Sequence, residues 1–171
     1  MRHASTSATR TFAFPQDEPL DERGRAAAAA LRVPRGAILS SPARRCLETA
    51  TAAGLDVDAV DARLAECDFG SWGGRRLEEI DPGGWMTDAD ACPHGGESLR
   101  AFAARVAEWL DAQAALEGAA TAITHGGVVK AAVVHALGAP LEAFWRVDVA
   151  PLSITELHAH DARWTLTRTN T

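Results

Sequence analysis

Leu99, Phe102, Val106, Trp109, Leu110 and Leu116 recur at helical spacing and predict a long amphipathic helix that Gly118 brings to a stop. Earlier in the chain, Asp21 to Val33 reads as a helix with Asp21 as N-cap and an alanine run behind it. Gly36-Ala37-Ile38-Leu39 is a short apolar run that predicts a buried strand, and Pro42 fits the first turn of a helix reaching about Ala53. Asp56 to Val60 predicts another short strand. Thr121-Ala122-Ile123-Thr124 predicts a buried strand, and Gly127 to Leu137 the helix after it. The pattern then changes to alternation: Ile154, Glu156 and His158, followed by Trp164, Leu166 and Arg168. This predicts two late strands with His160-Asp161 in the turn. Strands alternating with helices imply an α/β fold, with a mostly parallel central sheet and helices on both faces.

Between these elements, residues 70–96 follow no period. They hold Gly73, Gly74, Gly83, Gly84, Gly95 and Gly96 with Pro82 and Pro93, and predict an irregular excursion with one short helix near Leu77 to Ile80. Long loops on a compact domain are often functional. The 171 residues contain no repeat and no long linker, so residues 1–171 read as a single domain.

Composition narrows the function classes. A net charge of −6 argues against nucleic-acid partners, and no apolar run is long enough for a membrane span. Met1-Arg2-His3-Ala4-Ser5-Thr6 lacks the apolar core of a signal peptide, which makes the cytoplasm the expected location. Cys46, Cys67 and Cys92 form no C-x-x-C pair and read as reduced thiols without a metal role. Lys130 is the only lysine, so arginine carries nearly all the positive charge. Arginine holds planar oxyanions bidentately, although a GC-rich genome favours it as well.

Candidate chemistry concentrates in two segments. Arg2-His3-Ala4 lies at one end. Ile123-Thr124-His125-Gly126-Gly127 has the form strand, histidine, two glycines, helix. Ligands of open α/β sheets sit at the C-terminal strand ends, and a helix N-terminus there favours an anion. Taken alone, His125 reads equally well as a loop histidine beside a Gly-Gly turn. A third segment, Ser41-Pro42-Ala43-Arg44-Arg45, also follows a strand and opens a helix, placing arginine on the first turn.

Together these motifs resemble the histidine phosphatase superfamily, the group that includes cofactor-dependent phosphoglycerate mutase. Arg2-His3-Ala4-Ser5-Thr6 resembles its Arg-His-Gly/Ala opening, and Asp17-Glu18-Pro19-Leu20 with Gly24 its Asp-x-Pro-Leu-Thr-x-x-Gly segment. Ser41 to Arg45 with Thr49-Ala50 is similar to Ser-x-Leu-x-Arg-Ala-x-x-Thr-Ala, which makes Arg45 rather than Arg44 the family's arginine. Leu64-Ala65-Glu66-Cys67-Asp68-Phe69-Gly70-Ser71-Trp72 resembles Leu-x-Glu-x-x-Phe-Gly-x-Trp. His94-Gly95-Gly96-Glu97-Ser98 looks like the Gly-Glu-Ser turn, and Thr124-His125-Gly126-Gly127 like Ser-His-Gly-Gly. The motifs keep the family's order along nearly the whole chain.

The resemblance implies a single three-layer α/β domain of phosphoglycerate mutase type. It implies His3 as the nucleophile that becomes phosphohistidine. Arg2, Arg45, His3 and His125 would surround the phosphoryl group, and Glu66 would donate a proton to the leaving oxygen. Thr6, Ser71, Trp72, Trp85, His94 and Gly126 are candidate substrate contacts, with Trp72 and Trp85 expected at the pocket mouth. No metal or other cofactor is expected.

The sequence departs from the family in two ways. The chain begins one residue before Arg2, so the strand preceding the Arg-His pair is expected to be missing or nearly so. The mutase-type Trp-Asn pair is replaced near Ala8-Thr9, and the chain is shorter than typical mutases. The lost Trp-Asn pair and the shorter length favour phosphatase over mutase, and the reading is a metal-independent phosphatase acting on a small phosphomonoester. A mutase, a protein-phosphohistidine phosphatase and a non-catalytic phosphate-binding protein are the alternatives. The expected partner is a small phosphorylated substrate, and a homodimer is left open.

Overall fold

The structure, a computed structural model, describes residues 1–33, 36–161 and 163–171. Three strands make a parallel sheet: β1 (Ala37–Ser40), β2 (Ala59–Val60) and β3 (Ala120–Ile123), in the order β2-β1-β3. The register pairs Leu39 with Ala59 on one side and with Ala122 on the other. Residues 1–3 extend this sheet past β3. Arg2 bridges Thr124 in parallel, the His3 N–H donates to the Thr124 carbonyl at 2.8 Å, and the Thr124 N–H donates to the Met1 carbonyl at 2.9 Å. Among the described residues, only this one isolated bridge stands where the strand was expected to be missing or nearly so, and it is enough to align residues 1–3 with β3.

The described residues form five α-helices: α1 (Ser7–Thr11), α2 (Glu22–Ala29), α3 (Arg44–Ala52), α4 (Leu99–Ala114) and α5 (Gly126–Ala136). Strand alternation divides the core between the faces. Ile38 and Ile123 pack with Met1, Cys46 and Ala50 on the α3 side. Leu39 and Ala122 face the larger cluster built by Leu99, Phe102, Val106 and Trp109 of α4 with Val128, Ala131 and Ala132 of α5. The result is a single three-layer α/β domain. A separate antiparallel hairpin, β4 (Glu156–His160) and β5 (Arg163–Arg168), contributes Leu157 and Trp164 to that larger cluster. No helix among the described residues is long and apolar enough to cross a membrane.

Several boundaries differ from the periodicity, each for a tertiary reason. α3 begins at Arg44, so Pro42 precedes it. Its N-cap, Ala43, has no capping side chain, and the carboxylate of Asp17 accepts the Arg44 N–H at 2.8 Å instead. β2 is only two residues long because the Asp58 carboxylate takes the Ile38 N–H that a longer ladder would use. α4 ends at Ala114, and Leu116 lies beyond it, exposed. α1 had no periodic signal and is fixed by Thr6, whose side chain caps the Thr9 N–H.

Phe102 is fully buried at the centre of the larger cluster. Phe102→Ala is expected to lower unfolding free energy by about 3–5 kcal/mol, read from denaturant melts. A loss below about 1 kcal/mol would mean that the α4–α5 layer collapses around the vacancy.

Candidate active site

The C-terminal ends of β1, β3 and the 1–3 segment lie side by side, so Ser41, His125 and His3 emerge at one sheet edge. His3 and His125 stand edge to face, with ring centroids 5.2 Å apart. Both are buried, and so is Arg45.

Hydrogen-bond partners determine the tautomers. His3 Nδ1 lies 2.7 Å from the Ala4 carbonyl, which can only accept, so Nδ1 carries the proton and Nε2 keeps its lone pair. The arrangement at His125 is reversed. Arg45 Nη2 donates to its Nδ1 at 3.1 Å, so Nε2–H donates to Ser41 Oγ at 2.8 Å. Burial, then the Arg45 and Arg2 charges, push His3 down to about 3 from 6.5, and the Ala4 contact only partly opposes them. Burial and Arg45 likewise hold His125 well below the usual histidine range.

The two guanidinium groups are anchored but keep free donors. Arg45 Nη1 donates to the Gln16 carbonyl, and Arg2 Nη1 donates to that of Val149. The Nε of each is buried without a partner. The Arg2 side chain lies against Gly126.

Glu66 enters from the segment after the 3-10 turn Ala62–Leu64. Its carboxylate accepts the Cys67 N–H at 3.1 Å and the Gly127 N–H at 3.2 Å. The second bond lies at the N-terminus of α5. A Cβ at position 127 would collide with this carboxylate, so Gly127 serves the approach of Glu66. Both N–H groups favour the ionised form, yet burial outweighs them and holds the Glu66 carboxyl above its usual range.

Arg105 carries no motif signal and was missed in the sequence. It reaches from α4 and pairs with both Glu97 oxygens, at 2.9 and 2.7 Å. It also donates to the carbonyls of Arg63, Ala65 and Glu66, at 2.7, 3.0 and 3.4 Å. All five donors are spent, two on the Glu97 carboxylate and three on the backbone carbonyls around Glu66. A charged residue on the first turns of an amphipathic helix was the only available signal.

A cavity of about 460 Å³ opens between Arg45, Glu66 and Asp68, and a neighbouring one of about 710 Å³ shares Glu66 and Asp68 with it. Trp72, Trp85 and His94 were expected to meet substrate and line neither. They are buried in an aromatic cluster with Phe14, Phe69 and Trp145, where the rings pack on one another. Ser71 is exposed and its hydroxyl donates to the His94 carbonyl at 3.2 Å. Thr6 is buried as the cap of α1 and donates to Glu18 at 3.0 Å. Gly126 opens α5 beside Arg2. Among the described residues, no group of three or more His, Cys, Asp or Glu side chains is placed to hold a metal ion.

Comparison with known proteins decides the family. The model of the histidine phosphatase superfamily, branch 1, matches residues 1–171. The chain belongs to the histidine phosphatase superfamily. A bifunctional protein of Mycobacterium tuberculosis is 36% identical over 140 residues, covering 74% of this chain. The chain spans only 38% of that relative's length. Glucosyl-3-phosphoglycerate phosphatase of M. tuberculosis is 34% identical over 170 residues, covering 84% of this chain and 76% of the relative. The native structure of a mycobacterial glucosyl-3-phosphoglycerate phosphatase superposes with a TM-score of 0.82 at 31% identity, over 99% of this chain and 95% of that one. A putative α-ribazole-5′-P phosphatase from Escherichia coli shares the fold, with a TM-score of 0.87 at 23% identity over 100% and 94% of the chains. The α/β fold is thus that of the phosphoglycerate mutase-like proteins.

The buried site makes stability depend on pH. His3 sits at about 3 against 6.5, the amino terminus at about 6 against 8.0, and His125 and His94 are also lowered, all by burial. Each is held neutral in the folded chain where the unfolded chain is protonated, so stability rises with pH across this window. Glu66 acts oppositely, since its raised carboxyl holds a proton that the unfolded chain has lost above 4.5. The lowered imidazoles and amino terminus outnumber the one raised carboxyl, so the net dependence is a stability that rises with pH. Denaturant midpoints are expected to fall as pH drops from about 7 to 5. A flat profile would show that the two imidazoles take up protons in the folded state.

Proposed function

We propose that the chain is a metal-independent phosphatase that hydrolyses a small phosphomonoester through phosphohistidine on His3. The observation that carries this reading is the Ala4 carbonyl on His3 Nδ1, which leaves Nε2 as an unprotonated base at the sheet edge. The names of the mycobacterial relatives support it, and one relative 32% identical was solved in complex with VO3.

In the first step His3 Nε2 forms a bond to phosphorus as the bond to the leaving oxygen breaks. The imidazole becomes cationic, and its Nδ1–H already faces a carbonyl. Arg2 and Arg45 hold the phosphoryl oxygens, using the Nε donors that have no partner in the protein. Fixed donors in a buried site need no reorganisation as charge shifts during transfer. Glu66 protonates the leaving oxygen, and burial, which raises its carboxyl above the usual range, favours the protonated form that this role needs. A phosphate dianion nearby raises the carboxyl further. In the second step water attacks phosphorus, the ionised Glu66 takes its proton, and the P–N bond breaks. Inorganic phosphate leaves with His3 neutral again.

Reaction with substrate followed by an alkaline quench is expected to leave acid-labile phosphate on His3, and none in His3→Ala. Phosphate on His125 instead would overturn the assignment of the nucleophile.

Glu66→Gln is expected to lose about 10²–10⁴-fold on an alkyl phosphate and clearly less on an aryl phosphate, whose leaving group is already a stable anion. Arg45→Ala is expected to damage both substrates similarly. The comparison belongs on single-turnover rates, because hydrolysis of the shared phosphohistidine can limit both. Equal losses in Glu66→Gln would make Glu66 a structural residue.

A further inference from the structure

The leaving group must occupy the space beyond the phosphoryl position, and the charges lining that space are unequal. The 460 Å³ cavity carries Arg45 on one wall and the carboxylates of Asp17 and Asp68 on the others. Arg45 is almost wholly buried, its two Nη atoms are engaged by the Gln16 carbonyl and His125, and only Nε lacks a partner. The phosphoryl group takes that donor. The adjoining 710 Å³ cavity adds one cation, Arg105, whose five donors are all committed to Glu97 and backbone carbonyls. The neighbouring arginines are also engaged: Arg44 binds Glu48 at 2.7 Å and Arg100 binds Asp90 at 2.7 Å.

The acidic side is not neutralised in the same way. Asp17 accepts only the Arg44 backbone N–H, and Asp68 accepts the Gly70 N–H at 2.9 Å. Neither enters an ion pair among the described residues. Asp68 lines both cavities, so a leaving group that extends into either one passes it.

We infer that this site selects phosphomonoesters whose leaving alcohol is uncharged or cationic, and that Asp17 and Asp68 turn anionic leaving groups away. The inference rests on the phosphatase reading and goes beyond it. It also separates this chain from its glucosyl-3-phosphoglycerate phosphatase relatives, whose named substrate carries a glycerate carboxylate. Both aspartates are exposed, so solvent screens them, and their repulsion of a carboxylate about 6 Å away corresponds to roughly threefold each, or about tenfold together.

The test compares kcat/KM for phosphocholine, glycerol 1-phosphate and 3-phosphoglycerate, with p-nitrophenyl phosphate as a reference for the shared phosphoryl chemistry. The cationic and neutral esters are expected to exceed the glycerate by about tenfold. Raising ionic strength is expected to lift the glycerate relative to glycerol phosphate. Asp17→Asn with Asp68→Asn keeps each acceptor oxygen and removes both charges, so the ratio is expected to shift toward the glycerate by about tenfold. Glycerate turnover equal to or faster than that of glycerol phosphate in the wild-type chain overturns the inference while leaving the phosphatase reading in place. So does a ratio that neither salt nor the double variant moves. Absence of turnover on every ester, p-nitrophenyl phosphate included, overturns the phosphatase reading and this inference with it.

Discussion

Two backbone hydrogen bonds, between His3 and the Thr124 carbonyl and between Thr124 and the Met1 carbonyl, put the first three residues beside β3. Everything at the candidate site is referred to that alignment. It brings His3 to the edge where His125 already emerges, and lays Arg2 across the start of α5. On the other side, Arg2 N–H donates to the Ser153 carbonyl and Leu152 N–H donates to that of Arg2, so the short segment is held from both flanks. Backbone partners on both flanks hold it extended.

That placement creates an electrostatic problem, since two imidazoles and two guanidinium groups share a space with little water. The solution is neutrality at the histidines. Burial favours the uncharged ring, the arginines reinforce it, and the Ala4 carbonyl and Ser41 hydroxyl give each remaining N–H a partner. Each arginine leaves its buried Nε without a partner among the described residues. A buried donor without a partner costs free energy comparable to a lost hydrogen bond. On the proposed reading, a bound phosphoryl oxygen supplies each of these donors with its partner.

The acid side of the site depends on a different support. Glu66 lies on irregular chain, where backbone geometry alone would leave its carboxylate poorly defined. Arg105 binds the carbonyls around it, Glu97 holds Arg105, and Gly127 leaves room for the carboxylate at the helix start. The aromatic cluster of Trp72, Trp85 and His94 performs a related task for residues 70–96. It gives an excursion without regular structure a core of its own, which explains why its indoles face inward.

Local pattern determined a great deal of this molecule. Helical spacing located α4, short apolar runs located β1 and β3, alternation located the final hairpin, and ordered motifs named His3, Arg45, Glu66 and His125. These signals are readable because periodicity and motif order are properties of contiguous residues. Tertiary structure alone decided what depends on partners distant in sequence. The cap on α3 comes from Asp17, the brevity of β2 from Asp58, and the orientation of Glu66 from Arg105 and Gly127. The tautomer of His125 comes from Arg45 and Ser41, more than seventy positions away. Trp72 and Trp85 show the same limit from the other side. Indoles in a glycine-rich loop fit a pocket mouth and a buried cluster equally well by composition, and only the packing of Phe14 and Trp145 against them settles which one forms.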